Sequence, residues 1–227
     1  MKKTLLLSVL LCAAAFLIFG CAKEQASKES QTSETKAETA TETPQQKETP
    51  VPKYSRAEME QITFQPGEKP RAQIVTNFGT MVLELWSEVA PLHCKNFVYL
   101  TEKGMYDSLN IFRLGANFML QAGCPIGDGT GGSGYTIEAE FSDRKHVKGT
   151  LSMARAQDPN SASSQFFICL APYPSLDGKY TAFGQVVEGL EVLDGFNKAQ
   201  TKPNPMRGGE NTLPVEPLYL KISMLSE

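Results

Sequence analysis

The sequence predicts a mainly β domain, an antiparallel sandwich or barrel with a couple of helices. Three observations lead there. Short apolar runs recur from residue 72 to the end of the chain, most of them separated by Gly- or Pro-containing turns. The first two runs flank an Asn/Gly-containing turn, as a hairpin does. Two stretches carry the apolar spacing of helices.

The hairpin comprises Ala72–Thr76, the turn Asn77-Phe78-Gly79, and Thr80–Trp86. Ala90–Lys103 reads as a helix: Pro91 stands near its start, Phe97 and Leu100 are three apart, and Gly104 follows its end. Strand-like runs follow at Ile111–Leu114, Phe118–Ala122, Gly149–Ala154, Gln165–Leu170, Tyr180–Val187 and Leu218–Met224, with a second short helix at Leu190–Lys198. Periodicity supplies this architecture and no reaction.

The N-terminal part is of another kind. Lys2 and Lys3 precede an apolar run from Leu5 to Phe19, the pattern of a secretory signal over residues 1–20. The run is shorter than the roughly 18–20 residues that span a bilayer. Ile18-Phe19-Gly20-Cys21 resembles a bacterial lipobox, which implies acylation of Cys21 and a membrane anchor. Residues 21–69 are rich in Lys, Glu, Gln, Ser, Thr, Ala and Pro. Such a stretch has too little apolar surface to offset ordering entropy, and it reads as a disordered, lipid-anchored linker. A short helix between Tyr54 and Phe64 could edge the folded domain, which is placed at 70–227. The expected location is the cell envelope, in the periplasm or on the outer surface.

Composition excludes several functions. A net charge of −3 gives no basic footprint for nucleic acid. The chain has two histidines and five cysteines, with no CxxC or HExxH spacing, so a metal site is not expected, and no cofactor is implied. Gly127–Gly132 lacks the Gly-Lys-Ser/Thr of a phosphate loop. From Asp128 the acidic spacing of a calcium loop is missing too, and its twelfth position would be Ala139. His93, in the predicted helix, and His146, in a loop, read as structural or solvated.

Three stretches carry chemistry: Phe112–Gly123; Gly149–Ala154 with Ser163–Ile168; and Leu176–Gly184. In order and separation, and with the Gly127–Gly132 loop between the first two, they resemble the cyclophilin-type peptidyl-prolyl isomerases across the whole folded part. The resemblance implies a closed eight-stranded antiparallel barrel capped by two α-helices. It implies rotation about X-Pro bonds in proline-containing polypeptides; with the N-terminal signal and lipobox, the expectation is a monomer that helps extracytoplasmic proteins to fold. It makes Arg113 the catalytic residue. Phe118, Met119, Phe167 and Leu176 become the proline pocket, Gln121 a hydrogen-bonding partner of substrate backbone, and Ala154, Arg155 and Gln165 the groove for residues preceding the proline. A proline-recognising binding or chaperone module with little catalysis is the alternative.

Four positions depart from the commonest family pattern: Phe112, Arg155 and Ser175, and Tyr180, which takes a histidine's place at the pocket rim. Ser175 stands where many members carry a large ring, which predicts weak cyclosporin binding. Beyond Cys21, the thiols of Cys94, Cys124 and Cys169 cannot all pair within one chain.

Overall fold

The computed structural model describes residues 53–226. The signal peptide, the acylation site Cys21 and residues 21–52 of the linker lie outside them. The described chain opens with helix α1 (Arg56–Glu60), whose N-cap Ser55 accepts a hydrogen bond from the Glu58 N–H. Tyr54 and Met59 are buried in the main core and Phe64 packs against it. The packed chain thus begins upstream of residue 70, because a few apolar side chains in the polar run reach the domain.

Strands β1 (Arg71–Thr76) and β2 (Gly79–Leu85) form the expected hairpin, with Thr76 paired to Gly79 across Asn77-Phe78. Helix α2 (Pro91–Glu102) follows. Its N-cap, Ala90, has only a methyl group and makes no capping hydrogen bond. The Glu140 carboxylate instead accepts from the free N–H groups of Leu92 and His93, and contacts His93 Nδ1 at 2.7 Å. A negative charge on unpaired amides at a helix N-terminus is stabilising. Next come β3 (Leu109–Asn110), β4 (Arg113–Gly115), β5 (Met119–Ala122), β6 (Thr150–Met153), β7 (Phe166–Cys169) and β8 (Ala182–Glu188). Helix α3 (Val192–Lys198), the short pair β9 (Thr201–Pro203) and β10 (Asn211–Pro214), and β11 (Tyr219–Met224) complete the chain.

Nine strands make one antiparallel sheet in the order β3-β11-β1-β2-β8-β6-β7-β5-β4, while β9 and β10 pair separately. The two terminal strands, β3 and β4, are separated in sequence by Ile111 and Phe112 alone, so the sheet curls until its ends meet at that corner. The expected eight strands closed on themselves appear as nine strands in a curled sheet, because Leu109–Asn110, ahead of the expected run Ile111–Leu114, forms a short further strand against β11. Phe97 of α2 fills the inside, with ring centroids 5.2 Å from Tyr106 and 5.6 Å from both Phe166 and Phe183. Tyr106, fully enclosed, donates its hydroxyl to the Ser164 carbonyl at 2.9 Å, and burial holds its pKa well above the usual phenol value.

Candidate active site

Side chains alternate across a strand, so β5 and β7 each serve two faces. Leu120, Ala122, Phe166 and Ile168 point into the core. Met119, Phe167 and Cys169 form a second apolar cluster on the other face, joined by Phe118, Ala154, Leu176 and Tyr180. Register brings the polar groups to the same place. Gln121 stands opposite Arg113 on one side and Phe167 on the other, and Met119 stands opposite Cys169. The β4–β5 turn sets Phe118 at the rim through Asn117, whose φ of 54° a short polar side chain tolerates.

Between them lies a cavity of about 130 Å³, lined by Arg113, Phe118, Met119, Gln121, Ala154, Arg155, Phe167, Leu176, Tyr180 and Arg207. Every site residue expected from the sequence is on that wall except Gln165. That residue faces a neighbouring cavity of about 360 Å³, which shares Gln121, Ala154, Arg155 and Arg207 with the first. Gln165 gives both amide protons to the carbonyls of Gly129 (2.9 Å) and Gly131 (2.8 Å). Its oxygen accepts from Gln121 Nε2 at 3.0 Å. One glutamine thereby fixes the Gly-rich loop and orients the other, whose Oε1 stays free to accept a bond.

Arg113 is held with its side chain 21% exposed, its guanidinium 5.7 Å from the Phe118 ring and 3.4 Å from Glu210. Its Nε–H is buried without an internal partner. Arg155 donates to the carbonyls of Ala156, Gln157 and Lys179 and lies 4.7 Å over the Tyr180 ring. It ties the two loops that flank the cavity. Tyr180 meets Phe167 edge-on at 5.8 Å.

A buried polar network supports the Phe167 wall. The His146 ring stacks on Phe167 at 6.0 Å. The Asp177 carboxylate accepts from the His146 backbone N–H at 2.8 Å and faces its Nδ1 at 3.1 Å. Ser152 Oγ lies 2.9 Å from Nε2 and 3.0 Å from the Thr181 carbonyl. With a neutral ring the hydroxyl proton serves Nε2; with an imidazolium, Nε2 donates and the hydroxyl turns to Thr181. Burial depresses the His146 pKa, against the pull of Asp177. The backbone N–H of His146, against some desolvation, and then its ring and Lys145, hold Asp177 below the usual carboxylate range.

All three cysteines in the described residues are free and buried. Burial pushes the Cys169 thiol, beneath the cavity, up to about 12. Cys124 Sγ accepts from the amides of Gly129 and Gly131, both at 3.3 Å, and so shapes the Gly-rich loop. At the strand end before it, Gly123 has a φ of +90°, and a Cβ there would lie 2.3 Å from the Ser164 carbonyl oxygen. Among the described residues no three His, Cys, Asp or Glu side chains gather as a metal ligand set.

Sequence reading missed Arg207, His146 and Cys124 as parts of the site. Arg207 comes from the separate β9–β10 region, which carries no apolar period. His146 signals nothing on its own until Asp177 and Ser152 are brought to it.

The sequence model of the family described as "Cyclophilin type peptidyl-prolyl cis-trans isomerase/CLD" matches residues 71–215. A peptidyl-prolyl cis-trans isomerase of Helicobacter pylori is 46% identical over 127 residues, 54% of this chain and 77% of its own. One from Synechococcus elongatus is 49% identical over 125 residues, 54% of this chain and 86% of its own. The crystal structure of a Cryptosporidium parvum cyclophilin-type isomerase superimposes with a TM-score of 0.64 at 30% identity, covering 70% of this chain and 99% of that one. The curled antiparallel sheet with its outward cavity is thus the cyclophilin fold. The chain belongs to the cyclophilin-type peptidyl-prolyl cis-trans isomerase family, and its activity is that isomerisation.

Proposed function

We propose that Arg113 catalyses rotation of an X-Pro bond whose proline ring occupies the 130 Å³ cavity, and that the enzyme does so outside the cytoplasm, helping client proteins to fold. The observation that carries the site assignment is that a single cavity unites a half-buried guanidinium, an apolar wall of Phe118, Met119, Phe167 and Leu176, and the amide of Gln121. The planar amide resists rotation by about 20 kcal/mol because its nitrogen lone pair is delocalised into the carbonyl. Twisting localises that pair on nitrogen. A guanidinium N–H aimed at the prolyl nitrogen binds the twisted form and not the planar one, which lowers the barrier. The apolar wall holds the ring while Gln121 Oε1 accepts a substrate N–H. No covalent bond is made or broken. A related Cryptosporidium parvum cyclophilin-type isomerase has been crystallised in the presence of the dipeptide Ala-Pro, which supports a prolyl peptide as the ligand here.

Placement outside the cytoplasm rests on Lys2, Lys3, the apolar run to Phe19, and Cys21. An acylated Cys21 would hold a monomeric domain to a membrane by the segment up to residue 53. Labelled fatty acid should enter the wild type and not Cys21→Ala, and the variant should move to the soluble fraction. Unchanged labelling and fractionation would remove the anchor.

The catalytic assignment is tested by the rate of cis/trans exchange in a short proline peptide. Arg113→Ala should lower kcat/KM about 100-fold, the effect of deleting one transition-state donor. Peptide binding without any Arg113-dependent rate would favour a binding module.

A further inference from the structure

Two cavities share one wall, and that wall is cationic. Arg155 and Arg207 line both, Arg113 lines the smaller, and neither cavity has a carboxylate in its lining. This is on a chain of net charge −3, so the positive charge is gathered at the site against the overall balance. Acidic side chains on the surrounding loops each have a partner, and Glu210 offsets part of the Arg113 charge. Glu210 pairs with Arg113 from outside the cavities, Asp128 accepts from Thr130, Asp158 from the Asn160 N–H, and Asp177 from His146.

The guanidinium groups differ in what holds them. Arg155 is fixed by three carbonyls and the Tyr180 ring, with no carboxylate to offset its charge. Arg207 makes no hydrogen bond or ion pair through its side chain among the described residues. Partial burial and then the like charge of Arg113 depress its pKa, while Glu210 only partly offsets them. An anion placed between these groups would remove that repulsion and use donors that now have no partner.

We propose that Arg155 and Arg207 select polypeptides with an acidic side chain at one of the two residues preceding the proline, its carboxylate lying at the wall between the cavities. The inference rests on the reading of the smaller cavity as the proline site. It also assigns Arg207, at the end of the 3₁₀ turn Pro205–Arg207, a part in specificity. Fixed positive charge in a partly desolvated cleft acts on an incoming carboxylate more strongly than it would in open solvent, and more weakly as salt rises.

The test uses the full chain and proline peptides that differ by Glu, Gln or Lys at each of the two positions before proline. At low ionic strength kcat/KM should fall in the order Glu, Gln, Lys, with a Glu-to-Lys ratio of roughly tenfold at one position. The ratio should shrink toward one near 1 M salt, and should also shrink in Arg207→Gln and in Arg155→Gln. Equal rates for Glu and Gln peptides at both positions in the wild type would overturn the proposal. So would a Glu-to-Gln ratio unchanged in both variants. Calorimetric affinities of the same peptides read the preference separately from turnover. Acid-selective binding without rate acceleration would sustain the charge assignment and overturn the catalytic one. Rate acceleration without acid selectivity would do the reverse.

Discussion

Strands β5 and β7 bury both their faces, but the inward face is filled and the outward face is left with a cavity. Phe166 and Phe167 are neighbours in sequence, and 0% and 5% exposed. Phe166 meets rings on two sides, Phe97 at 5.6 Å and Tyr106 at 5.4 Å. Phe167 has a ring on one side, His146, and another at its edge, Tyr180, and otherwise borders the cavity. Burial alone therefore does not separate core from site. The distinction is whether the opposing space is occupied by the protein's own atoms or kept open for another molecule's.

The sharpest way to break that comparison is to truncate each ring in turn. Phe166→Ala should cost about 3–5 kcal/mol of unfolding free energy, since dense packing leaves little room to collapse. Phe167→Ala should cost less, about 1–3 kcal/mol, because an opening already adjoins it. It should nevertheless lower kcat/KM by at least tenfold through a changed KM for proline peptides. Denaturant unfolding and peptide kinetics on both variants decide the matter. Equal losses of stability would mean the outward cluster is ordinary core.

These two faces were not equally legible beforehand. The hairpin, α2 and most strand runs are visible in the sequence because apolar period and turn residues are local properties. Met119 and Phe167 read locally as core as well. Only the pattern around Arg113 marks them otherwise, and the structure places them with Arg113 on one cavity. What stayed hidden depends on long-range register. Gln165 turns its amide to the Gly-rich loop, Arg207 arrives from a separate two-stranded ribbon, and His146 finds Asp177 thirty-one residues away. The corner at Phe112 was hidden for a related reason. A bend before which Leu109–Asn110 pair with β11, and after which Arg113–Gly115 pair with β5, leaves no periodic trace.

A smaller effect sharpens the edge of the open face. Ser175 is exposed on the 3₁₀ turn Pro174–Leu176 and does not line the proline cavity, whereas Leu176 beside it does. With no large ring there, cyclosporin should bind weakly. Ser175→Trp should tighten it by about tenfold, roughly 1.4 kcal/mol, measured by inhibition of peptide turnover. Tight inhibition of the wild type would show that the remaining wall suffices. In that case Tyr173, whose ring lies 4.4 Å from Phe118 on the same loop, would be the group to remove next.

The smallest expected effect concerns pH, and it again divides the two faces. The inward side of Phe166 rests on rings, whereas the wall at Phe167 rests on His146. Burial depresses the pKa of this histidine, while Asp177 opposes that depression. In the window between its folded pKa and the ordinary value of about 6.5, the unfolded chain binds more protons than the folded one, so stability rises with pH. Acidification from about pH 7 should therefore lower Tm first through His146. The charged groups facing the ring are the Asp177 carboxylate and, through it, Lys145 at 3.4 Å from Asp177. Asp177 itself has a depressed pKa, so its contribution is present above about pH 3.9 and is lost only below that, as pH falls through its folded value. The two windows open at different pH, about 6.5 for His146 and about 3.9 for Asp177. His146→Gln should flatten the slope of Tm against pH just below about 6.5 and leave the acid limb below about pH 4 steep. A slope unchanged in that variant would show that the network passes no proton-linked strain to the fold, because Ser152 can turn its hydroxyl between Nε2 and the Thr181 carbonyl at no cost.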